Sequence, residues 1–176
     1  MKISPRLSQG LLFLLLSGLL ALPCRSEDTP PAPPSTPAPE VASPVRNILI
    51  YALSQVGASY RYGGNNTQGF DCSGFVRYVF SKAADLTLPH SSRDMSHVGQ
   101  EVTQSQLQPG DLVFFRTQHQ KISHVGIYLG NQQFVHASST KTGSVMVSNL
   151  TERYWARRFA TGKRLTLDDP PAYPAP

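Results

Sequence analysis

Three side chains in this sequence are of the types that do covalent chemistry: one cysteine and two of its five histidines. Cys72 stands in Asp71-Cys72-Ser73-Gly74, between a Gly-rich stretch and an apolar one. A thiol nucleophile needs a base, usually histidine, and the base needs a third group to hold its ring. His90, His97 and His119 lie in polar, turn-like surroundings that suit the surface, whereas His124 and His136 flank an apolar hairpin pattern. Side chains alternate along a strand, so a two-residue turn at Gly130-Asn131 pairs Leu129 with Gln132 and sends the two histidines to opposite faces. A three-residue turn, Gly130-Asn131-Gln132, built as a type I turn ending in a left-handed bulge residue, moves the pairing by one and lets the rings touch. The same three side chains also read as three zinc ligands with water in the fourth place, and chelation separates the two readings.

The elements that must carry these residues are legible around them. Asp71 suits a helix N-cap, and Phe75, Val76, Val79 and Phe80 recur at three- and four-residue steps, predicting a helix from Cys72 to about Ala84. Unpaired backbone N–H groups at that end favour a thiolate over a thiol. The bland alternative is that Cys72 is a small core residue. Upstream, Ser43 and Pro44 open a helix whose buried face is expected to hold Val45, Ile48, Leu49, Ala52, Leu53 and Val56, with Gly57 as its stop. Ala58 to Phe70 reads as a loop, and a short helix is expected near Arg93. Strand patterns follow at Leu112–Phe115, after a Pro109-Gly110-Asp111 turn, and on both sides of Gly130-Asn131. Val145–Val147 and Arg158–Arg164 complete the set. Helices first and an antiparallel sheet after them is an α+β order.

The ends read differently. Lys2 and Arg6 precede an apolar run from Leu11 to Leu22 that is too short for a membrane span, so residues 1–26 are expected to be a signal peptide. Ala21-Leu22-Pro23-Cys24 is a poor lipobox, which makes an outer-membrane lipoprotein anchored through Cys24 the second choice. Residues 27–43 form a Pro-rich spacer, 44–165 the folded domain, and 166–176 a loose tail. A domain of about 120 residues buries roughly two-thirds of its extended surface. With the leader's Lys2, Arg6 and Arg25 gone, the net charge falls from +5 to +2, too little for nucleic acid. Arg153, Arg157 and Arg158 cluster as on a solvated face. Cys72 is then an unpaired thiol in an exported chain, a reactive-residue flag, because the spacer makes a disulfide with Cys24 a poor alternative.

Taken in order, the segments resemble the NlpC-type family of peptidoglycan cysteine peptidases, which are papain-like. They are Tyr60-Arg61-Tyr62-Gly63-Gly64, Asp71-Cys72-Ser73-Gly74-Phe75-Val76, Leu88-Pro89, Gln108 to Phe115, Ser123 to Tyr128, and Phe134-Val135-His136-Ala137. The likeness implies helices, the nucleophile helix among them, packed on an antiparallel sheet. It implies Cys72 as nucleophile, His124 as base and His136 as the residue orienting it. Tyr60, Asp71 and Ser73 match the oxyanion and substrate-lining positions. No metal or cofactor is implied, and the partner is the peptidoglycan stem peptide, met by a periplasmic monomer of Gram-negative type. The bond is D-γ-glutamyl–diaminopimelate or the D-alanyl–diaminopimelate crosslink, and a CHAP-type N-acetylmuramoyl-L-alanine amidase is the neighbouring alternative. After Leu88-Pro89 the family often has Arg, and Gln five residues on, where this chain has His90 and Met95. His90 and Arg93 are the candidates for substrate contact there. Gln132 replaces a glycine common in the hairpin turn.

Overall fold

The computed structural model describes residues 43–118, 120–139 and 143–167. The expected signal peptide, Cys24, His119, and nearly all of the spacer and tail lie outside the described residues. In chain order come α1 (Pro44–Ser54), a small ribbon of β1 (Asn65–Asn66) and β2 (Gly69–Phe70), α2 (Cys72–Ala84) and α3 (Ser92–Met95). Then follow β3 (Gln100–Val102), β4 (Leu112–Phe115), β5 (His124–Gly130), β6 (Gln133–Ala137), β7 (Val145–Asn149), α4 (Arg153–Ala156) and β8 (Phe159–Arg164). The main sheet is antiparallel in the order β3-β8-β4-β5-β6-β7. The class is α+β, with α1 to α3 preceding the main sheet and α4 set between β7 and β8.

One face of the sheet takes the helices. Ile48 and Ala52 of α1, Phe75, Val76, Val79 and Phe80 of α2, and Leu112, Phe114, Val125, Ile127 and Val135 of the strands form one buried core. Val113, Phe115, Tyr128 and Phe134 point the other way, into a second cluster closed by Leu150 and Trp155. The period of two along β4 and β5 thus builds both layers from one sequence run. The buried stripe of α1 is narrower than its apolar pattern suggests: Leu53 is 46% and Val56 48% exposed. Leu53 is in the last turn of α1 and Val56 lies beyond its end, since the helix stops at Ser54, ahead of Gly57 with φ of +92°. The Ala58–Phe70 segment contains the β1–β2 ribbon, and β3 and α4 carry no periodic signal long enough to have been read.

Two contacts pin the frame. Asp111, buried at the start of β4, accepts from Arg164 Nε at 2.9 Å and Nη2 at 2.8 Å, and from the Gln108 N–H at 2.7 Å. That joins the Pro109-Gly110 turn to the end of β8. The other is the approach of the Gly-rich loop to α2: a Cβ on Gly74 would stand 2.0 Å from the Gly64 carbonyl oxygen. Alanine in a helix is ordinarily favoured over glycine by roughly 1 kcal/mol. At this position the sign should reverse, with Gly74→Ala costing about 1–3 kcal/mol as the loop is pushed off the helix. Urea unfolding of the two proteins checks it, and an unchanged or raised midpoint would show that the loop yields freely.

Candidate active site

The start of α2 is built by Asp71. Its Oδ1 accepts from the Gly74 N–H at 2.7 Å and the Ser73 hydroxyl at 3.1 Å, and its Oδ2 from the Gly63 N–H at 3.0 Å. One carboxylate therefore caps the helix, orients Ser73 and holds the Gly-rich loop. Cys72 follows, half-buried, with Sγ 3.9 Å from the Ser123 carbonyl oxygen. Backbone N–H groups of Val125, Ser73 and Cys72 itself hydrogen-bond toward the sulfur. The thiol thus meets the main chain on either side of His124.

The expectation of a stabilised thiolate needs correction. Burial, and after it the Asp71 charge, push the thiol up to about 11, and the three N–H groups offset only part of this. Tyr60 is raised too, first by burial and then by Cys72 and Asp71, so its hydroxyl stays a donor.

His124 and His136 meet because of the hairpin's register. Ile127 pairs with Val135 and Tyr128 with Phe134, then the register shifts and Gly130 pairs with Gln133. The one-residue displacement that the histidines require is present, but its device differs from the expected type I turn. Asn131 and Gln132 both take positive φ, 50° and 62°, and the irregularity falls between Tyr128 and Gly130. His124 Nε2 lies 2.9 Å from His136 Nδ1, and His136 Nε2 lies 3.1 Å from Ser148 Oγ. Trp155 stacks on His124, with ring centroids 5.2 Å apart and planes at 27°, and meets His136 edge-on at 4.9 Å. Gly126 leaves the room: a Cβ there would stand 2.8 Å from the Phe134 ring and 3.2 Å from His136 Cβ.

Burial lowers His124 to about 4, and burial with the nearby His124 lowers His136 to about 2. Both rings are neutral near pH 7, so each carries one N–H and one bare nitrogen. If Ser148 accepts from His136 Nε2–H, His136 Nδ1 accepts from His124 Nε2–H, and His124 Nδ1 is left bare. Only this order of protons leaves His124 a free base. Neither Ser148 nor Trp155 was found from the sequence. A serine within Val145–Asn149 is a weak signal until the register is known, and α4 is four residues long.

Other candidates are placed as follows. Ser73 is buried, and Tyr60 and Asp71 are half-buried beside the thiol. His90 Nδ1 lies 2.9 Å from Arg77 Nη1, whose Nε also donates to the Leu88 carbonyl. Met95 is wholly buried in the core, so the thioether cannot meet a substrate. Arg93 lines a cavity of about 350 Å³ with Gln118, Lys121, Ile122 and Ser123. Another, of about 390 Å³, is lined by Arg116, Thr117, Gln120, Arg157 and Arg158.

Comparison with known proteins identifies the family. A model of the NlpC/P60 family matches residues 57–164. The probable endopeptidase NlpC of Escherichia coli is 37% identical over 86% of this chain and 97% of its own length. A probable endopeptidase NlpC homolog of Haemophilus influenzae is 44% identical over 62% of this chain, which spans 57% of that relative. The E. coli murein DD-endopeptidase MepS/murein LD-carboxypeptidase is 43% identical over 62% of this chain and 56% of its own. Among solved structures, an NlpC/P60 family protein from Bacillus cereus superposes with a TM-score of 0.64 at 28% identity, over 68% of this chain and 39% of that one. The peptidoglycan hydrolase RipB of Mycobacterium tuberculosis gives 0.60 at 31%, over 69% and 64%.

The charge state of the thiol can be read directly. Its ionisation is displaced upward to about 11, so at neutral pH the proton is retained and is lost only as pH rises toward that value. Thiolate ultraviolet absorbance should be missing at pH 7 and grow in toward pH 11, and Cys72→Ala should remove it. Absorbance already present at pH 7 and lost only near pH 4 would instead mean a resting thiolate–imidazolium pair.

Proposed function

The chain belongs to the NlpC/P60 family, and on that footing we propose that it is an exported cysteine endopeptidase hydrolysing an amide bond in the peptide stems of peptidoglycan. The observation that carries the reading is one cluster: Cys72 Sγ held against the backbone flanking His124, and His124 bonded through Nε2 to His136. Residues 44–165 are the catalytic domain, behind a signal peptide and spacer. No helix of the described residues is long and apolar enough to cross a membrane.

In this reading Cys72 Sγ attacks the amide carbonyl carbon as its proton passes to His124 Nδ1, giving a tetrahedral oxyanion. The Cys72 N–H and the Tyr60 hydroxyl are its donors, each worth ~3 kcal/mol of barrier. His124 returns the proton to the leaving nitrogen as the C–N bond breaks. Water, deprotonated by His124, then releases the acyl group and restores the thiol. His136 holds the His124 ring, and Ser148 holds His136 in the tautomer that leaves His124 Nδ1 bare. Asp71 and Ser73 face the acyl side of the substrate. The bond is D-γ-glutamyl–diaminopimelate or D-alanyl–diaminopimelate. The relatives' endopeptidase names favour these over the muramoyl amide. A zinc reading is disfavoured by geometry, since both His136 nitrogens already face His124 and Ser148.

Digestion of purified muropeptides with identification of the products tests the activity and names the bond. Cys72→Ala should fall by at least ~10⁴-fold in turnover while keeping its fold; wild-type turnover by that variant would end the thiol mechanism. For the positioning role, Ser148→Ala should lower kcat by roughly tenfold or more with little change in KM, by analogy with outer partners of other histidines. Ser148→Thr, which keeps a hydroxyl, should recover much of it. Equal loss in both variants would reduce Ser148 to a packing residue.

A further inference from the structure

The cavity beside Ser123 has a chemistry that the hydrolytic steps do not use. Arg93 and Lys121 converge on it with Gln118, and no acidic side chain lines it. Among the described residues the ion pairs are Lys163–Glu101 and Arg164–Asp111, so neither cation is neutralised. Asp94, next to Arg93, is occupied by the Ser91 hydroxyl at 2.6 Å. The walls are set in place. Arg93 rides on α3 between buried Ser92 and near Met95, itself wholly buried. The Ser123 hydroxyl meets the Thr117 and Gln118 N–H groups at 3.1 and 3.0 Å and Thr117 Oγ1 at 2.8 Å, bracing the loop that carries Lys121. The same Ser123 offers its carbonyl to Cys72 Sγ at 3.9 Å, so one residue of the cavity wall also touches the thiol.

Asp71 stands beside the thiol, and Arg93 with Lys121 lines the cavity that shares Ser123 with it. Two cations and an amide around an open cavity of about 350 Å³ fit a carboxylate, which an arginine binds through paired N–H groups. Both stem-peptide bonds considered above have diaminopimelate as the leaving residue, and in both the carboxylate of its D centre is left free, next to the scissile nitrogen in the crosslink and at the far end of the residue in the glutamyl bond. We propose that Arg93 and Lys121 bind this free carboxylate and so select substrates in which it is not amidated. The proposal rests on the endopeptidase reading. It also supplies the anchor that His90, turned to Arg77, does not.

The experiment uses two muropeptides that differ only in whether that carboxylate is an acid or an amide. Wild type should show kcat/KM for the acid higher by roughly tenfold or more, as expected for losing one charge-assisted bond. Arg93→Gln and Lys121→Gln should each shrink the preference, and the double variant should abolish it. Arg157→Gln, in the neighbouring arginine-lined cavity, should leave it intact. Equal rates on acid and amide by wild type overturn the proposal, as does a preference that survives the double variant or disappears in Arg157→Gln. If wild type cuts neither substrate, the endopeptidase reading fails, and calorimetric titration of the Cys72→Ala protein with free diaminopimelate still decides. Binding lost in Arg93→Gln supports the cavity, and no binding rejects it.

Discussion

Neighbouring side chains on a strand face opposite ways, and the candidate site exists only because one hairpin respects that parity. His124 and His136 touch when an odd residue is absorbed between Tyr128 and Gly130. With the ladder one residue out of step, one ring would point to the helices and the other to Trp155. The surrounding choices serve this register. Two residues at positive φ turn the chain, Gly126 makes space for His136, and Phe134 and Trp155 wall the rings in. A short polar turn thus governs chemistry at residues well along both strands, through pairing alone.

The two layers of the fold bring opposite requirements to one place. The helix-side core delivers a thiol at the capped end of α2, and the aromatic cluster on the far side buries the histidines. Burial keeps each partner uncharged, so the protein rests with the proton on sulfur and separates charge only when a substrate supplies somewhere for it to go. The helix end, read from sequence as a thiolate-stabilising device, is outweighed by desolvation and by the Asp71 that caps it. The same cap is what positions Cys72, so the two effects cannot be tuned apart at that residue.

Much of this frame was legible in the residues. Asp71 and the apolar steps at Phe75, Val76, Val79 and Phe80 mark α2 at both ends, and four apolar residues in a row mark β4. The need for a one-residue shift in the hairpin followed from alternation, although the turn that meets it did not: Gln132 is left-handed as expected, but Asn131 is left-handed too and the extra residue falls between Tyr128 and Gly130. Ser148 and Trp155 escaped for another reason. Each acquires meaning only through partners far along the chain: Ser148 across β6–β7, Trp155 through a single-turn helix without periodicity. The apolar pattern of α1 overstated its burial, since periodicity reports which face can be covered and not how much of it a neighbour reaches. Met95, standing where the family often has Gln, shows the converse: it serves the core.

The order of the sheet also dictates when it can exist. β3 pairs with β8 alone, and β8 lies between β3 and β4, so a strand near the start of the sheet's sequence waits for the last one to be made. During synthesis from the N-terminus, Gln100–Val102 has no partner and the β4 edge stays open until Phe159–Arg164 emerges. Asp111, whose carboxylate is matched by Arg164, is likewise unpaired until then. Such a chain cannot lock into its native state while incomplete. Under the export proposed above, that delay keeps the sheet open until Phe159–Arg164 has crossed the membrane.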